Sequence, residues 1–367
     1  MPWNWFDRPL PADWPGGYWW HLLVFAVFIV GLTLTMVMIF IYLERRGVAR
    51  FQIRPGPNRC GPFGIMQPMA DAIKVLFKED IVPDKADGVL HWLAPVVAFF
   101  PALLILAVVP FHNGAALVDL DIGILYVIAV SSISTLGVVM AGWSSNNKYS
   151  LIAAIRAIAQ TVSYELPMVL SIIGVIVLTG SLSLNDIVAR QSVPFIFFQP
   201  LGFLIFLIGL MAEMNRSPFD LMEAESEIVA GFHTEYSSMK QALFYLAEYA
   251  HAFGGAAIIS TLFLGGWKGP ILPPLVWLLL KTVLVFAIMF WARATLPRVR
   301  IDQFMGFLWK GLLPLALINL FFTAAEVLVW PDGLPLALIP INFVAAGFLI
   351  VVWSGLIKFG GGRVAVQ

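Results

Sequence analysis

Residues 19–43, WWHLLVFAVFIVGLTLTMVMIFIYL, run without a single Asp, Glu, Lys or Arg and stop at Glu44-Arg45-Arg46. As a helix that stretch is long enough to cross a hydrocarbon core of about 30 Å, which takes roughly 20 apolar residues. The pattern recurs along the chain, at about 89–109, 122–142, 157–178, 195–214, 248–267, 273–296, 309–330 and 335–357. The predicted fold is therefore all-α, a polytopic membrane protein of about nine transmembrane helices in one domain over 1–367. The sixth span is the least apolar, because Glu248, His251 and Gly254-Gly255 interrupt it. Composition agrees: 60% of the 367 residues are hydrophobic and only 12% charged, whereas soluble domains run near 45–50% and about 25%.

The charges are distributed unequally between the two faces. With nine spans, Lys and Arg fall almost entirely on one side, leaving Arg8, Arg190 and Lys268 on the other and Lys281 inside a span. The positive-inside rule then puts the N-terminus outside and the C-terminus inside. Residues 1–17 lack a basic start and the apolar run behind them ends in charge, so the first helix is read as retained. Trp3, Trp5, Trp14, Trp19 and Trp20 read as an interfacial aromatic belt. Lys+Arg and Asp+Glu balance at 22 each, so no basic excess points to nucleic acid.

One cysteine, Cys60, and five scattered histidines bound the chemistry. An iron–sulfur cluster takes about four thiolates and c-type haem attachment takes paired cysteines. This chain can supply neither. No metal site is expected, and no nucleotide-binding glycine motif is present.

Two inner loops, 44–88 and 215–247, are too patterned to be mere connectors. In the first, Arg54-Pro55-Gly56-Pro57-Asn58-Arg59-Cys60-Gly61-Pro62-Phe63-Gly64 writes fixed turns. Gln67 to Lys78 then follows as an amphipathic helix carrying Asp71, Lys74 and Lys78. This segment reads either as a basic loop on lipid headgroups or as a portal through which an amphiphile enters from the bilayer. The second loop concentrates Asp220, Glu223, Glu225, Glu227 and Glu235, with Glu213 and Glu248 at its flanks. Ser217-Pro218 reads as the cap and first turn of a helix through about Val229. Asp220, Glu223 and Glu227 would share its face, with arginines from 44–59 and 293–300 as counter-charges. Within the spans, Glu165 and Lys281 would form either a structural ion pair or part of a proton relay. Glu326 reads as a carboxylate snorkelling at the outer end of the eighth span.

Glu44-Arg45-Arg46, Gly56-Pro57-Asn58, Gln67-Pro68-Met69-Ala70-Asp71-Ala72-Ile73-Lys74 and above all Ala212-Glu213-Met214-Asn215-Arg216-Ser217-Pro218-Phe219-Asp220-Leu221 resemble the H subunit, or subunit 1, of proton-pumping NADH:quinone oxidoreductase, respiratory complex I. The resemblance covers nearly the whole chain, and the ninth span resembles the longer bacterial form. It implies a membrane subunit of a translocase at the junction of the hydrophilic quinone module and the membrane arm, in a bacterial inner membrane or a mitochondrial one. Quinone, such as ubiquinone, would be the substrate, with FMN and iron–sulfur clusters in partner subunits and no cofactor held by this chain. The resemblance implies proton-coupling roles for Glu165, Glu213, Asp220, Glu223, Glu225, Glu227, Glu235, Glu248 and Lys281. It implies a quinone chamber or its counter-charges at Arg45, Arg46, Arg54, Phe63, Asp71, Arg216, Phe232, Arg293 and Arg298. The competing readings are the homologous membrane anchor of an energy-converting hydrogenase or formate hydrogenlyase, and a secondary transporter.

Overall fold

The helix with the least apolar sequence lies at the centre of the bundle. The computed structural model describes residues 17–112, 116–222, 225–331 and 335–360, and these fold into helices without a strand. In chain order they are α1 (Gly17–Phe51), α2 (Gln67–Leu76), α3 (Gly88–Val108), α4 (Gly123–Ser144), α5 (Lys148–Thr179), α6 (Leu184–Arg190), α7 (Pro200–Glu213), α8 (Glu225–Ile228), α9 (Ser238–Phe263), α10 (Pro274–Thr295), α11 (Ile301–Val329) and α12 (Leu338–Gly360). Helix α9 is packed against α1, α3, α7 and α10. Its Glu248 and His251 therefore meet protein rather than lipid, which is where membrane-level ionisable groups are tolerated. The expected start at 248 falls ten residues inside this helix.

Eight helices among the described residues are long and apolar enough to cross a membrane. The expected fifth span, 195–214, is the exception. Its helix α7 has only 14 residues, about 21 Å at roughly 1.5 Å per residue. Proline opens it: Pro200 occupies the first turn, and Gln199 before it is held out of helical geometry (φ −128°, ψ 61°). Residues 195–199 fold instead as buried turns, anchored by Ile196 N donating to Phe263 O at 3.0 Å. The nine-span expectation becomes eight long helices and one short one.

Two helices run further into the charged loops than hydropathy indicates. Helix α1 continues past Glu44-Arg45-Arg46 to Phe51, and stops where Ile53 turns to φ 54° ahead of Pro55. Helix α5 starts at Lys148, capped by the Asn147 side chain accepting from Tyr149 N at 3.0 Å. Glu165 is thus near the middle of a 32-residue helix. Charged residues on these extensions are compatible with helix and only lower its hydropathy.

The core joins large rings to small residues. Phe40 of α1 stacks on Phe286 of α10 at 3.8 Å and meets Phe253 of α9 edge-on at 5.9 Å. Helices α3 and α4 approach most closely at Gly137, where an added Cβ would lie 2.6 Å from Ala98 N. Small residues at such crossings let backbones touch, as membrane bundles require. Outward faces are apolar: Val27, Val344, Phe348 and Val351 are all more than 60% exposed.

The expected acidic helix from Ser217 to Val229 does not form. Only Glu225–Ile228 is helical, and 217–222 runs as an irregular segment joined to Pro218 by a cis bond from Ser217. Its backbone is taken up by tertiary partners: Val299 N donates to Pro218 O at 3.0 Å and Gln160 Nε2 to Phe219 O at 3.1 Å, while Phe219, Leu221 and Met222 are buried. Those contacts outweigh a modest capping preference. Asp220 therefore lies outside any helix and shares no helix face with Glu227; Glu223 and the tryptophans Trp3, Trp5 and Trp14 lie outside the described residues, as do the side chains of Glu225, Trp19 and Trp20.

Candidate functional site

A cavity of about 1350 Å³ opens between α1, α2, α9 and the C-terminal end of α10. Its two ends differ in chemistry. Leu34, Val37, Met38 and Ile41 of α1 carry it into the apolar level of the bundle, Leu34 lying ten residues, or about 15 Å, from Glu44. Glu44, Arg45, Arg54, Asp71, Arg216 and Arg293 line the other end, and Tyr245 and Tyr249 of α9 also line the cavity.

The charges at that end are mostly paired. Arg293 forms an ion pair with Glu44, whose side chain is 7% exposed. Arg216 bonds Glu248 at 2.6 Å and places its guanidinium 5.0 Å from the Tyr249 ring centre. Arg45 pairs with Asp71 and so ties α2 to α1. Partial burial works to raise the Asp71 pKa, but hydrogen bonds from Gln67 and Arg45, with the charges of Arg45 and Lys74, prevail and hold it below the ordinary aspartate range. A carboxyl whose folded pKa is depressed adds stability above its unfolded value and loses it as pH falls through the folded one. The pair is exposed, so the effect is local. A spin label at Ile73, on the outward side of α2, is expected to gain mobility when the pH falls below the ordinary aspartate range. Asp71→Asn should show that gain already at neutral pH, and a label indifferent to both would separate the pair from α2 docking.

A smaller pocket continues from the charged end toward α7, lined by Met211, Met214, Phe286, Met289 and Phe290 together with Glu44, Arg216 and Arg293. Beyond it Glu213 lies with one carboxylate oxygen 3.9 Å from His251 Nδ1, while His251 Nε2 is 3.4 Å from Ala98 O. Glu165 accepts from Ser132 Oγ at 2.9 Å. The two carboxyls act on each other electrostatically, and the buried Tyr164 feels both. No Lys or Arg pairs with either among the described residues.

The structure gathers only part of the expected set. Arg45, Arg54, Asp71, Arg216 and Arg293 line the cavity, and Glu248 braces it. Glu227 and Glu235 instead face the N-terminal part of α5. Glu227 pairs with Arg156, and Arg298 lies 3.7 Å away; Glu235 accepts from Asn147 Nδ2 at 2.7 Å. The Glu227 carboxyl is held below its usual range first by the Arg156 hydrogen bond, then by the charges of Arg156, Arg298 and Arg300, which together outweigh the opposing effect of burial. Asp220 is half-buried.

Several expectations are corrected. Arg293 meets Glu44 rather than the 215–247 acids, because α1 carries Glu44 alongside α10. Arg46 and Arg54 do not meet those acids either: Arg46 bonds Tyr42 and Phe63 O, and Arg54 bonds Gln52. Phe63 exposes its ring, and Phe232 is buried against Phe244; neither lines the cavity. Lys281 and Glu165 form no pair. The ammonium of Lys281 donates to Gly266 O and Lys268 O, both at 2.8 Å, at the turn following α9. Cations commonly end helices this way, by meeting carbonyls that lack an intrahelical donor. Glu326 does not snorkel but is 5% exposed. Sequence reasoning missed Glu44, Ser132, Arg156 and His251 as participants. Their one signal was polarity inside or at the edge of an apolar run.

What the fold and this site define is a polytopic helical membrane protein with a cavity that is apolar at one end and lined or braced at the other by Glu44, Asp71 and Glu248 with their arginines. The sequence model of the family described as NADH dehydrogenase matches residues 23–324. The H subunit of NADH-quinone oxidoreductase from Dehalococcoides mccartyi strain CBDB1 is 60% identical over 350 residues, 95% of this chain and 99% of that protein. The corresponding protein of Brevibacillus brevis, of the same name, is 50% identical over 315 residues, 84% of this chain and 93% of its own. The chain belongs to the NADH dehydrogenase family, among the H subunits of NADH-quinone oxidoreductase, and is a membrane component of complex I.

Proposed function

We propose that this chain forms part of the quinone-binding chamber of its complex and couples quinone reduction to proton translocation. The observation that carries the reading is the cavity: an apolar length at bilayer level ends in arginines and carboxylates. That division suits an amphiphile with a long apolar tail and a polar ring, since ligand sites are largely apolar with a few placed polar groups. The relatives' name supplies quinone as the substrate. Reduction to quinol takes up protons along with electrons and leaves the ring neutral, so groups near Arg216 and Arg293 must supply protons. Glu213 and Glu165 lie behind them as the next exchangeable groups toward the membrane interior. FMN and iron–sulfur clusters belong to partner subunits of the hydrophilic arm, and the N-terminus faces outward and the C-terminus inward in a bacterial inner membrane.

The test uses tail length. Ala72 lines the cavity from α2, so Ala72→Trp narrows the entrance without altering a charge. Turnover with a long-tailed quinone is expected to fall several-fold more than turnover with a short soluble analogue. Equal losses for both in an assembled complex would count against entry between α1 and α2.

A further inference from the structure

We propose that His251 of α9 is the proton acceptor for Glu213 of α7, an inference that rests on reading Glu213 as an exchangeable group. The two helices pack against each other, and His251 Nδ1 lies 3.9 Å from a carboxylate oxygen of Glu213. Their side chains are only 8% and 13% exposed, so the pair is shielded from bulk water. The opposite edge of the ring settles which nitrogen is available. His251 Nε2 lies 3.4 Å from the Ala98 carbonyl of α3. A carbonyl only accepts, so Nε2 carries its hydrogen whether the ring is neutral or charged, and Nδ1 is the nitrogen that changes.

In the neutral ring Nδ1 is a bare lone pair facing the Glu213 acid, and in the cation it is an N–H facing the Glu213 carboxylate. One arrangement of side chains thus serves both ends of a transfer. The Glu213 O–H bond breaks, an Nδ1–H bond forms, and carboxylic acid with imidazole becomes carboxylate with imidazolium. Net charge is unchanged, so each ion made by the step has the other as its partner. The separation is about 1 Å longer than a hydrogen bond. Acid–base pairs are often this loose before substrate binds and tighten afterwards.

The charged groups of the surrounding helices are engaged elsewhere. On α3, the stretch 92–108 carries no Asp, Glu, Lys, Arg or His. On α5, Tyr164 and Glu165 interact electrostatically with Glu213. On α9 itself, Glu248 is held by Arg216, whose guanidinium also meets the Tyr249 ring. Glu44 of α1 and Arg293 of α10 bind each other, and Lys281 of α10 donates to carbonyls in the turn after α9. Helix α2 and the end of α6 meet α9 near Ser238 and Thr261, at its two ends. Glu213 is therefore the acid to which the free edge of His251 answers.

The test reads quinone turnover of the assembled complex against pH, divided by NADH oxidation with an artificial acceptor, for His251→Gln, His251→Asn, Glu213→Gln and the double variants. Gln keeps an amide N–H for Ala98 O, and Asn keeps an acceptor oxygen at the Nδ1 edge; neither takes up a proton. Both are expected to assemble and to lower turnover several-fold. With one proton shared by the pair as the working state, wild-type turnover falls on the acid side when both groups are protonated and on the alkaline side when neither is. Without the imidazole the acid-side fall should vanish and the alkaline one persist, because Glu213 still titrates. Beside Glu213→Gln the same substitutions should add little further loss. Wild-type turnover in His251→Gln, an unchanged acid-side fall, losses that persist in full beside Glu213→Gln, or failure of both variants to assemble would each overturn the proposal and make the ring a brace between α9 and α3. Wild-type turnover in Glu213→Gln would overturn the reading of Glu213 itself, so the two failures are told apart.

Discussion

Glu165→Gln and Glu213→Gln are expected to leave the complex assembled and to depress quinone reduction coupled to proton pumping by about tenfold or more, the lower part of what a positioned acid–base group contributes. Glutamine keeps the shape of glutamate and its hydrogen bond with Ser132 or its place beside His251, but it cannot carry a proton. Because neither carboxyl has a Lys or Arg partner among the described residues, the substitution strands no cation, and assembly should survive. Glu165→Asp and Glu213→Asp retain the acid at shorter reach and should retain more activity than the Gln variants. Pumping and assembly are measured on the same membranes. Wild-type pumping in a fully assembled Glu165→Gln complex would remove this residue from any obligatory path.

Arg293→Met is expected to fail at an earlier step, in the amount of assembled complex. The substitution leaves Glu44, which is 7% exposed, without its cation. Breaking a buried pair costs about 3–5 kcal/mol, and on the order of 2–3 here because Arg293 keeps part of its surface open. Removing both charges with Glu44→Gln and Arg293→Met should recover assembly while turnover with quinone stays low, since the cavity has then lost one of its cations. Native-gel abundance, with NADH oxidation by an artificial acceptor as a reference, separates the two effects. Wild-type abundance of the single Arg293→Met variant would show that the pair contributes nothing to the bundle.

The fold was legible wherever one helix decides its own fate. The runs 19–43, 89–109 and 273–296 are helices of the expected kind, because apolar length alone suffices in a solvent that cannot satisfy a backbone. The expectations failed where a neighbour decides. Ser217-Pro218 looks like a helix start, yet Val299 and Gln160 claim the carbonyls that a helix would use. Lys281 and Glu165 look like partners by depth, yet depth fixes only one coordinate of three. Of the candidate site, the ionisable residues were visible as violations of hydropathy, but their pairing was not.

Sequence alone determined that this chain is helical and membrane-embedded, and its motifs determined the family. Hydrophobic length is a local property, and motif identity is read residue by residue. Only the tertiary structure decided that Glu44 meets Arg293, that Arg216 meets Glu248, that α7 is short, and that neither Glu213 nor Glu165 pairs with a Lys or Arg among the described residues. Those outcomes depend on which helices cross and at what rotation. That is set by the summed packing of small and aromatic faces such as Gly137 on Ala98 and Phe40 on Phe286, far apart in the chain.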